Sequence, residues 1–163
     1  DLETFKNFLK FNKTYVNYSK NIKQISNYRK DWIYNQFNKL TKGFKNIKKI
    51  GILGLAYKED TNSIKNSPSI SFIKKISINN KFKINVYDPR IKELLKHKNI
   101  TFLKNVADLM KNCDVLVIAT PWKIFKEINL NKFPNIKAII DPYNLVNFQK
   151  NKNKKLRYIS MGK

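Results

Sequence analysis

Apolar residues follow two different rhythms along this chain. Over the first forty positions they recur with helical spacing: Leu2, Phe5, Phe8 and Leu9 stand at i, i+3, i+6 and i+7 and give one apolar face. Residues 15–19 predict a break, with Asn17 or Ser19 as the cap of a second helix. That helix is expected over 19–40, where Ile22, Ile25, Tyr28, Trp32, Ile33, Phe37 and Leu40 keep the period, and Gly43 is a terminator. A helix of roughly twenty residues is about 30 Å long. Its apolar face is too long to bury on a small neighbour alone, so it predicts a dimer or interdomain contact.

From Lys48 the rhythm changes. Short apolar runs at 50–55, 82–87, 100–103, 115–120 and 136–141 alternate with stretches at 67–78, 91–96, 106–112 and 122–128 that can form helices. A run as continuously apolar as 115–119 is what a strand buried on both faces requires. Strand and helix in alternation imply a parallel sheet with right-handed crossovers. The predicted fold is therefore α/β, a doubly wound and mostly parallel sheet preceded by a helical segment. Residues 1–47 form that helical segment and 48–163 the α/β domain. The tail at 156–159 is expected to add an edge strand, and 149–155 reads as a solvated loop of low complexity.

Composition narrows the function only a little. With 42% hydrophobic and 13% aromatic residues in 163 positions, the chain can build a real core and is not disordered as a whole. No apolar stretch approaches the roughly 18 residues that span a bilayer. The start carries no basic region followed by an apolar run, so no signal peptide is expected. It also lacks an initiator Met, which points to processing or to a start inside a longer gene product. The single cysteine, Cys113, allows no internal disulfide and no cysteine-based metal site, and together these features predict a cytoplasmic protein. Cys113 reads as a buried structural thiol and the lone His97 as a surface residue. The net charge of +23 could serve nucleic acid. It is nearly all Lys, spread along a chain rich in Asn and Ile, and such drift in composition accounts for it better than a nucleic-acid surface. The charge still favours an anionic nucleotide.

Candidate chemistry centres on the first strand of the α/β domain. The run 50–56 ends in a turn, and in doubly wound sheets ligands sit at the carboxyl ends of strands beside helix N-termini. Two glycines, Gly51 and Gly54, fall short of the G-x-G-x-x-G dinucleotide fingerprint. A polar loop follows, and Ser67-Pro68 then opens a helix with a cap residue and Pro at the first helical position. Tyr57 and Lys58 are thereby placed at a strand end, where a ring can stack on a base or sugar and an ammonium can pair with phosphate. By itself this remains open against a plain solvated loop.

The segment 54–69, GLAYKEDTNSIKNSPS, resembles the G-L-A-F-K-x-D-T-D-D-x-R-x-S-P motif of the UDP-glucose/GDP-mannose dehydrogenase family. Val86-Tyr87-Asp88-Pro89 resembles the family's V-Y-D-P. The segment from Asp114 to Trp122 resembles D-A-L-V-I-x-T-x-W, and the closing residues 158–163 resemble Y-x-x-I-G-R/K. Asp1 and the helices after it resemble the end of the catalytic C-F-P-K-D motif and the family's helical segment beyond it. The likeness covers essentially the whole chain.

This resemblance implies a Rossmann-like domain that binds a UDP-sugar, within an enzyme that uses NAD to oxidise a sugar C6 alcohol to a carboxylate. Asp1 matches the acid that assists the catalytic Cys, itself four residues before this chain begins. Cys113 is not its equivalent. Tyr57 and Lys58 match the family's Phe-Lys pair on the UDP-sugar. Lys65 falls where an Arg usually reaches NAD, so it retains charge without the bidentate fork. Asp141-Pro142-Tyr143-Asn144 stands where the family has Asp-Gly-Arg-Asn, which puts Tyr143 in place of a substrate-contacting Arg. The implied partners are a UDP-sugar, a second copy through residues 19–40, and a separate N-terminal half that would carry the NAD domain; alone, the chain is expected to be inactive. A non-catalytic nucleotide-binding or oligomerisation module is the alternative, and the motifs do not distinguish among nucleotide sugars.

Overall fold

The structure is a computed structural model, and it describes residues 2–11, 16–44, 46–78, 80–93 and 97–162. Asp1 lies outside them, so the role inferred for it receives no structural account. The chain opens with helix α1, Leu2–Phe11, and the long helix α2, Val16–Lys42. Six strands come next among the described residues: β1 Lys49–Leu53, β2 Lys83–Tyr87, β3 Ile100–Phe102, β4 Val115–Ile118, β5 Ala138–Ile140 and β6 Arg157–Ile159. Helix α3, Pro68–Ser77, joins β1 to β2, and α4, Val106–Lys111, joins β3 to β4.

The strands lie in the order β3-β2-β1-β4-β5-β6, and each pairs with its neighbour in parallel. This is the doubly wound arrangement with its reversal of direction between β1 and β4. The expectation of a mostly parallel sheet is met by one that is parallel throughout, and the tail supplies β6 as its edge. The central strands are buried residue after residue, which is why β4 reads as an unbroken apolar run.

Three local expectations need correction. Val16–Ser19 are already helical, so the break before α2 does not fall there. The polar residues of Val16-Asn17-Tyr18-Ser19 suit a cap, but nothing in the stretch forbids helix, and propensity is a weak prior. Residues 91–93 are not helical, because the backbone N–H of Ile91 is turned back onto the Asp88 carboxylate; residues 94–96 lie outside the described ones. The stretch after β4 is helical as expected, in the 3-10 form over Lys123–Glu127, but a further 3-10 turn, Phe148–Lys150, enters the predicted loop.

Helix α2 does two jobs along its length. Its second half carries Trp32, Ile33, Phe37 and Leu40 into the same core as the sheet. Phe37 meets the rings of Phe72 and Phe82 edge-on, both at 5.3 Å between centroids, a favoured aromatic geometry. An ion pair from Lys75 to Asp31 at 2.7 Å ties α2 to α3. Residues 20–30 are largely solvent-facing, with Ile25 and Tyr28 exposed. At its other end α2 finishes at the edge where the strands begin, since Arg157 at the start of β6 lies over Phe44 and Lys137 reaches the Asn46 carbonyl.

Cys113 sits beneath β1, its sulfur among Leu109 and Gly51. Burial pushes its thiol up to about 12, with the neighbouring Asp114 carboxylate adding to the rise. A buried neutral thiol is a poor nucleophile. Ellman's reagent at pH 8 is therefore expected to leave the folded chain unmodified and to titrate one thiol per chain in denaturant; rapid modification of the native chain would show that this packing is wrong. Asp114 itself is partly buried, which disfavours its charge, but the N–H groups of Lys48 and Lys49 and the Lys137 ammonium outweigh that and hold its carboxyl below the usual range. His97 is exposed, as expected.

Candidate functional site

The carboxyl ends of β1, β4 and β5 converge, and the loops leaving them carry the candidate residues. Gly54 turns the chain out of β1 with φ +91°, a backbone conformation in which glycine is at ease. It is also a point of close approach: a Cβ there would stand 2.5 Å from the Cβ of Thr120. Leu55 and Ala56 follow, fully buried, and every polar group of their backbone is taken. Their N–H groups donate to Asp88 Oδ2 at 2.7 and 3.1 Å. The Leu55 carbonyl accepts from Ser69 Oγ at 3.1 Å, and that of Ala56 from Thr120 Oγ1 at 2.7 Å.

Asp88 is the hub of this arrangement. It lies at the end of β2, 2% exposed. Besides Leu55 and Ala56, its Oδ2 accepts from the Trp122 indole at 3.2 Å, while Oδ1 accepts from the N–H of Arg90 at 2.8 Å and of Ile91 at 3.0 Å. Both oxygens are thus spent on holding three loops together. An acid at the end of the second strand is the group that binds a cofactor ribose in a dinucleotide fold. Here it is occupied, and the turn it would serve offers no free N–H from Leu55 or Ala56 to a pyrophosphate. The β1 crevice therefore does not fit NAD, in agreement with the missing third glycine.

Asp141 repeats the device at the end of β5. Its Oδ2 accepts from the N–H of Leu145 at 2.6 Å and of Val146 at 3.0 Å and from the Tyr158 hydroxyl at 2.8 Å, and its Oδ1 from the N–H of Tyr143 at 3.2 Å. Burial pushes the Tyr158 phenol well above its ordinary range, and its hydrogen bond to Asp141 adds to this.

Out of these two sealed turns the candidate residues emerge. Tyr57 and Lys58 are exposed, Tyr57 by 55%, at the start of a loop that Tyr57 N–H closes onto the Ser63 carbonyl at 2.8 Å. Tyr143 is 44% exposed, and its hydroxyl donates to the Ala119 carbonyl at 3.3 Å, across to the end of β4. Burial raises the Tyr143 phenol above its usual range; Asp141 and Tyr57 add to the rise and Arg29 opposes it. Tyr57 and Tyr143 thus stand on neighbouring loops, both tied to the end of β4 through the Ala56 carbonyl on Thr120 and the Tyr143 hydroxyl on Ala119. Lys65 is exposed further along the same loop, just before the positive-φ residue Asn66 and the start of α3.

Sequence reasoning singled out Tyr57, Lys58, Lys65 and Tyr143 but missed Asp88 and Asp141 as anchors. The two acids had a readable signal. Each is an Asp-Pro pair closing an apolar strand, and Asp in that setting folds its carboxylate back onto the N–H groups of the next turn. A cavity of about 350 Å³ lies elsewhere, lined by residues including Lys126, Asn131 and Asn151, and none of the candidate residues borders it. Among the described residues no cluster of His, Cys, Asp and Glu is placed to hold a metal ion, and no helix is long and apolar enough to cross a membrane.

The doubly wound sheet, with Tyr57, Lys58 and Tyr143 on loops at the carboxyl ends of its strands, has the architecture of a nucleotide-binding α/β domain. Residues 51–148 match the UDP-glucose/GDP-mannose dehydrogenase family, UDP binding domain, and the chain belongs to that family. It is similar to UDP-glucose 6-dehydrogenase of Rickettsia felis, 37% identical over 125 residues that cover 71% of this chain and 27% of that protein. The corresponding protein of Rickettsia conorii is 35% identical over 122 residues, again 71% of this chain and 28% of the relative. The chain thus spans about a quarter of the length of these relatives. In fold it resembles a UDP-glucose dehydrogenase from Pyrobaculum islandicum, with a TM-score of 0.75 and 18% identity over 99% of this chain and 35% of that one. A GDP-mannose dehydrogenase from Pseudomonas aeruginosa gives 0.66 and 16% identity over 97% and 37%.

Proposed function

We propose that this chain is the nucleotide-sugar-holding part of a UDP-sugar dehydrogenase, an NAD-dependent enzyme that oxidises the sugar C6 alcohol to a carboxylate. The observation that carries the reading is the site at the edge of a domain matched to the family's UDP-binding domain. Tyr57 and Lys58 stand exposed directly after a turn whose own polar groups are fully used inside the protein. In this reading the Tyr57 and Tyr143 side chains contact the UDP-sugar and the Lys58 ammonium pairs with its anionic or hydroxyl groups. Residues 48–163 form the UDP-sugar domain, and 1–47 a segment through which two copies pair over 19–40, where Ile25 and Tyr28 offer exposed apolar surface. The redox cofactor is held outside the β1 crevice, with Lys65 turned toward it from the loop. The catalytic thiol belongs to another part of the enzyme, since Cys113 is buried beneath β1, and the 163 residues do not turn over substrate by themselves. A cytoplasmic setting suits nucleotide-sugar chemistry.

Calorimetry tests the binding claim. UDP is expected to bind the wild-type chain, and Lys58→Ala to weaken it about tenfold, the scale of one charge-assisted hydrogen bond. Absence of heat with both proteins would end the proposal.

A further inference from the structure

Tyr143 is carried by a tight turn at the end of β5. The chain reverses over residues 141–144, and the Asn144 N–H closes the turn onto the Asp141 carbonyl at 3.1 Å. Asn144 takes φ +51°, a left-handed conformation that Asn tolerates. The Tyr143 ring is held only loosely at its tip, since the 3.3 Å from its hydroxyl to the Ala119 carbonyl exceeds the roughly 2.5–3.0 Å of an ordinary O–H···O bond. Its direction is therefore set at its base, by the turn. One side chain from β6 touches both corners of that turn. The Tyr158 hydroxyl lies 2.8 Å from Asp141 Oδ2 and 3.1 Å from Asn144 Oδ1. Its single hydrogen goes to the carboxylate, the stronger acceptor at the shorter distance, and is shared with the amide. Tyr158 is itself held from two sides. Its backbone pairs opposite Ile139 of β5, and its ring stacks on Phe148 with centroids 4.6 Å apart and planes 13° apart. The other partners of Asp141 show what this phenol adds. The N–H groups of Tyr143, Leu145 and Val146 belong to the same loop and fix its internal shape. The Asp141 N–H, donating to the Ile159 carbonyl at 2.8 Å, fixes the first corner to β6. Tyr158 ties the last corner, Asn144, to that same strand.

We propose that Tyr158 is a positioning residue for nucleotide binding, whose hydroxyl clamps both corners of the turn at 141–144 and so presents the Tyr143 ring to the nucleotide sugar. The inference rests on the UDP-sugar reading above and adds the last strand of the sheet to the support of that site. Tyr158 acts through Tyr143 and does not touch the ligand. It also lies beyond residues 51–148, the part matched to the family's UDP binding domain. Without the phenol the Asp141 carboxylate keeps its N–H donors from the loop, so the turn persists but is free to pivot about its first corner.

The test is calorimetry with UDP on the 163-residue chain and on Tyr158→Phe, which removes the hydroxyl and keeps the ring on Phe148. UDP affinity is expected to fall roughly 3- to 10-fold, the scale of one hydrogen bond. The thermal midpoint should drop by only about 2–4 °C. A double-mutant cycle with Tyr143→Ala separates positioning from general support. Once the Tyr143 ring is gone, adding Tyr158→Phe should change UDP affinity by less than about twofold. Equal loss with and without that ring would assign Tyr158 a structural role and overturn the proposal. Wild-type affinity in Tyr158→Phe would also overturn it while leaving the UDP-sugar reading intact. Asn144→Gly removes the amide at the last corner but permits its positive φ. It should weaken UDP as Tyr158→Phe does, and it carries the test if Tyr158→Phe does not fold; wild-type affinity there would likewise overturn the clamp. Failure of the wild-type chain to take up UDP would remove both the clamp and the reading it rests on.

Discussion

Asp88→Ala is expected to destabilise the chain by roughly 3–5 kcal/mol, read as a lower midpoint in urea denaturation. The size reflects the number of donors that the carboxylate holds. Five N–H groups among the described residues, from Leu55, Ala56, Arg90, Ile91 and the Trp122 indole, converge on its two oxygens. Leu55, Ala56, Ile91 and Trp122 are buried, so water cannot replace the lost acceptor without opening the turn. An unsatisfied buried donor costs about 1–3 kcal/mol, and partial relaxation keeps the total below a simple sum. Asp88→Asn retains one acceptor oxygen but turns an amide N–H₂ toward donors, so it should fall between wild type and alanine. Asp108→Ala, which removes an exposed partner of Asn105, should stay within about 1 kcal/mol of wild type. Were Asp88→Ala as mild as Asp108→Ala, the hub role would be wrong. The site should suffer with the fold, because Tyr57 begins where the anchored pair ends.

The fold was legible because its signals are collective. Each central strand is a run of several apolar residues, and each error of one position leaves the run in place. Alternation of runs and helices then leaves few topologies, and the observed strand order is a common one among them. The stretch after β4 is helical, as its spacing in Trp122, Phe125 and Ile128 predicts, in the tighter 3-10 form that brings Trp122 back under Asp88. What failed was local. Residues 91–93 carry no helix because the Asp88 carboxylate takes the Ile91 N–H that a helix start would leave free.

The site was legible in part for a related reason. Tyr57, Lys58 and Tyr143 lie on loops at strand ends, so sequence order places them near one another once the sheet is assumed. Their anchors were harder to see. A buried Asp satisfied by backbone N–H groups looks, in sequence, like any turn residue; only the repetition of Asp-Pro after both β2 and β5 sets Asp88 and Asp141 apart. Gly54 and Thr120 pose the same difficulty, since each is ordinary alone and meaningful only across the 66-residue separation that brings them together.

That contact yields the other large expected effect. Gly54→Ala should cost roughly 3–5 kcal/mol, measured again by denaturation. Two independent terms add. Alanine at φ +91° is strained wherever it stands, by about 1–3 kcal/mol. Its Cβ would also meet Thr120 Cβ at 2.5 Å, Oγ1 at 2.6 Å and the backbone nitrogen at 2.7 Å, which is overpacking of the kind that costs about 1–3 kcal/mol or more. Thr120 cannot swing away freely, because it is fully buried and its hydroxyl holds the Ala56 carbonyl at 2.7 Å. The two terms separate experimentally. Adding Thr120→Gly to Gly54→Ala removes the side-chain clash but keeps the backbone contact and the strain, so the pair should recover only part of the loss, net of Thr120→Gly measured alone. Full recovery would mean that the positive φ carries no cost, and no recovery would mean that the Thr120 side chain is not what fills the space. In either variant the chain must move β1 and β4 apart at their carboxyl ends. UDP affinity should therefore fall even under conditions where most molecules remain folded, which distinguishes displacement of Tyr57 and Tyr143 from loss of the fold.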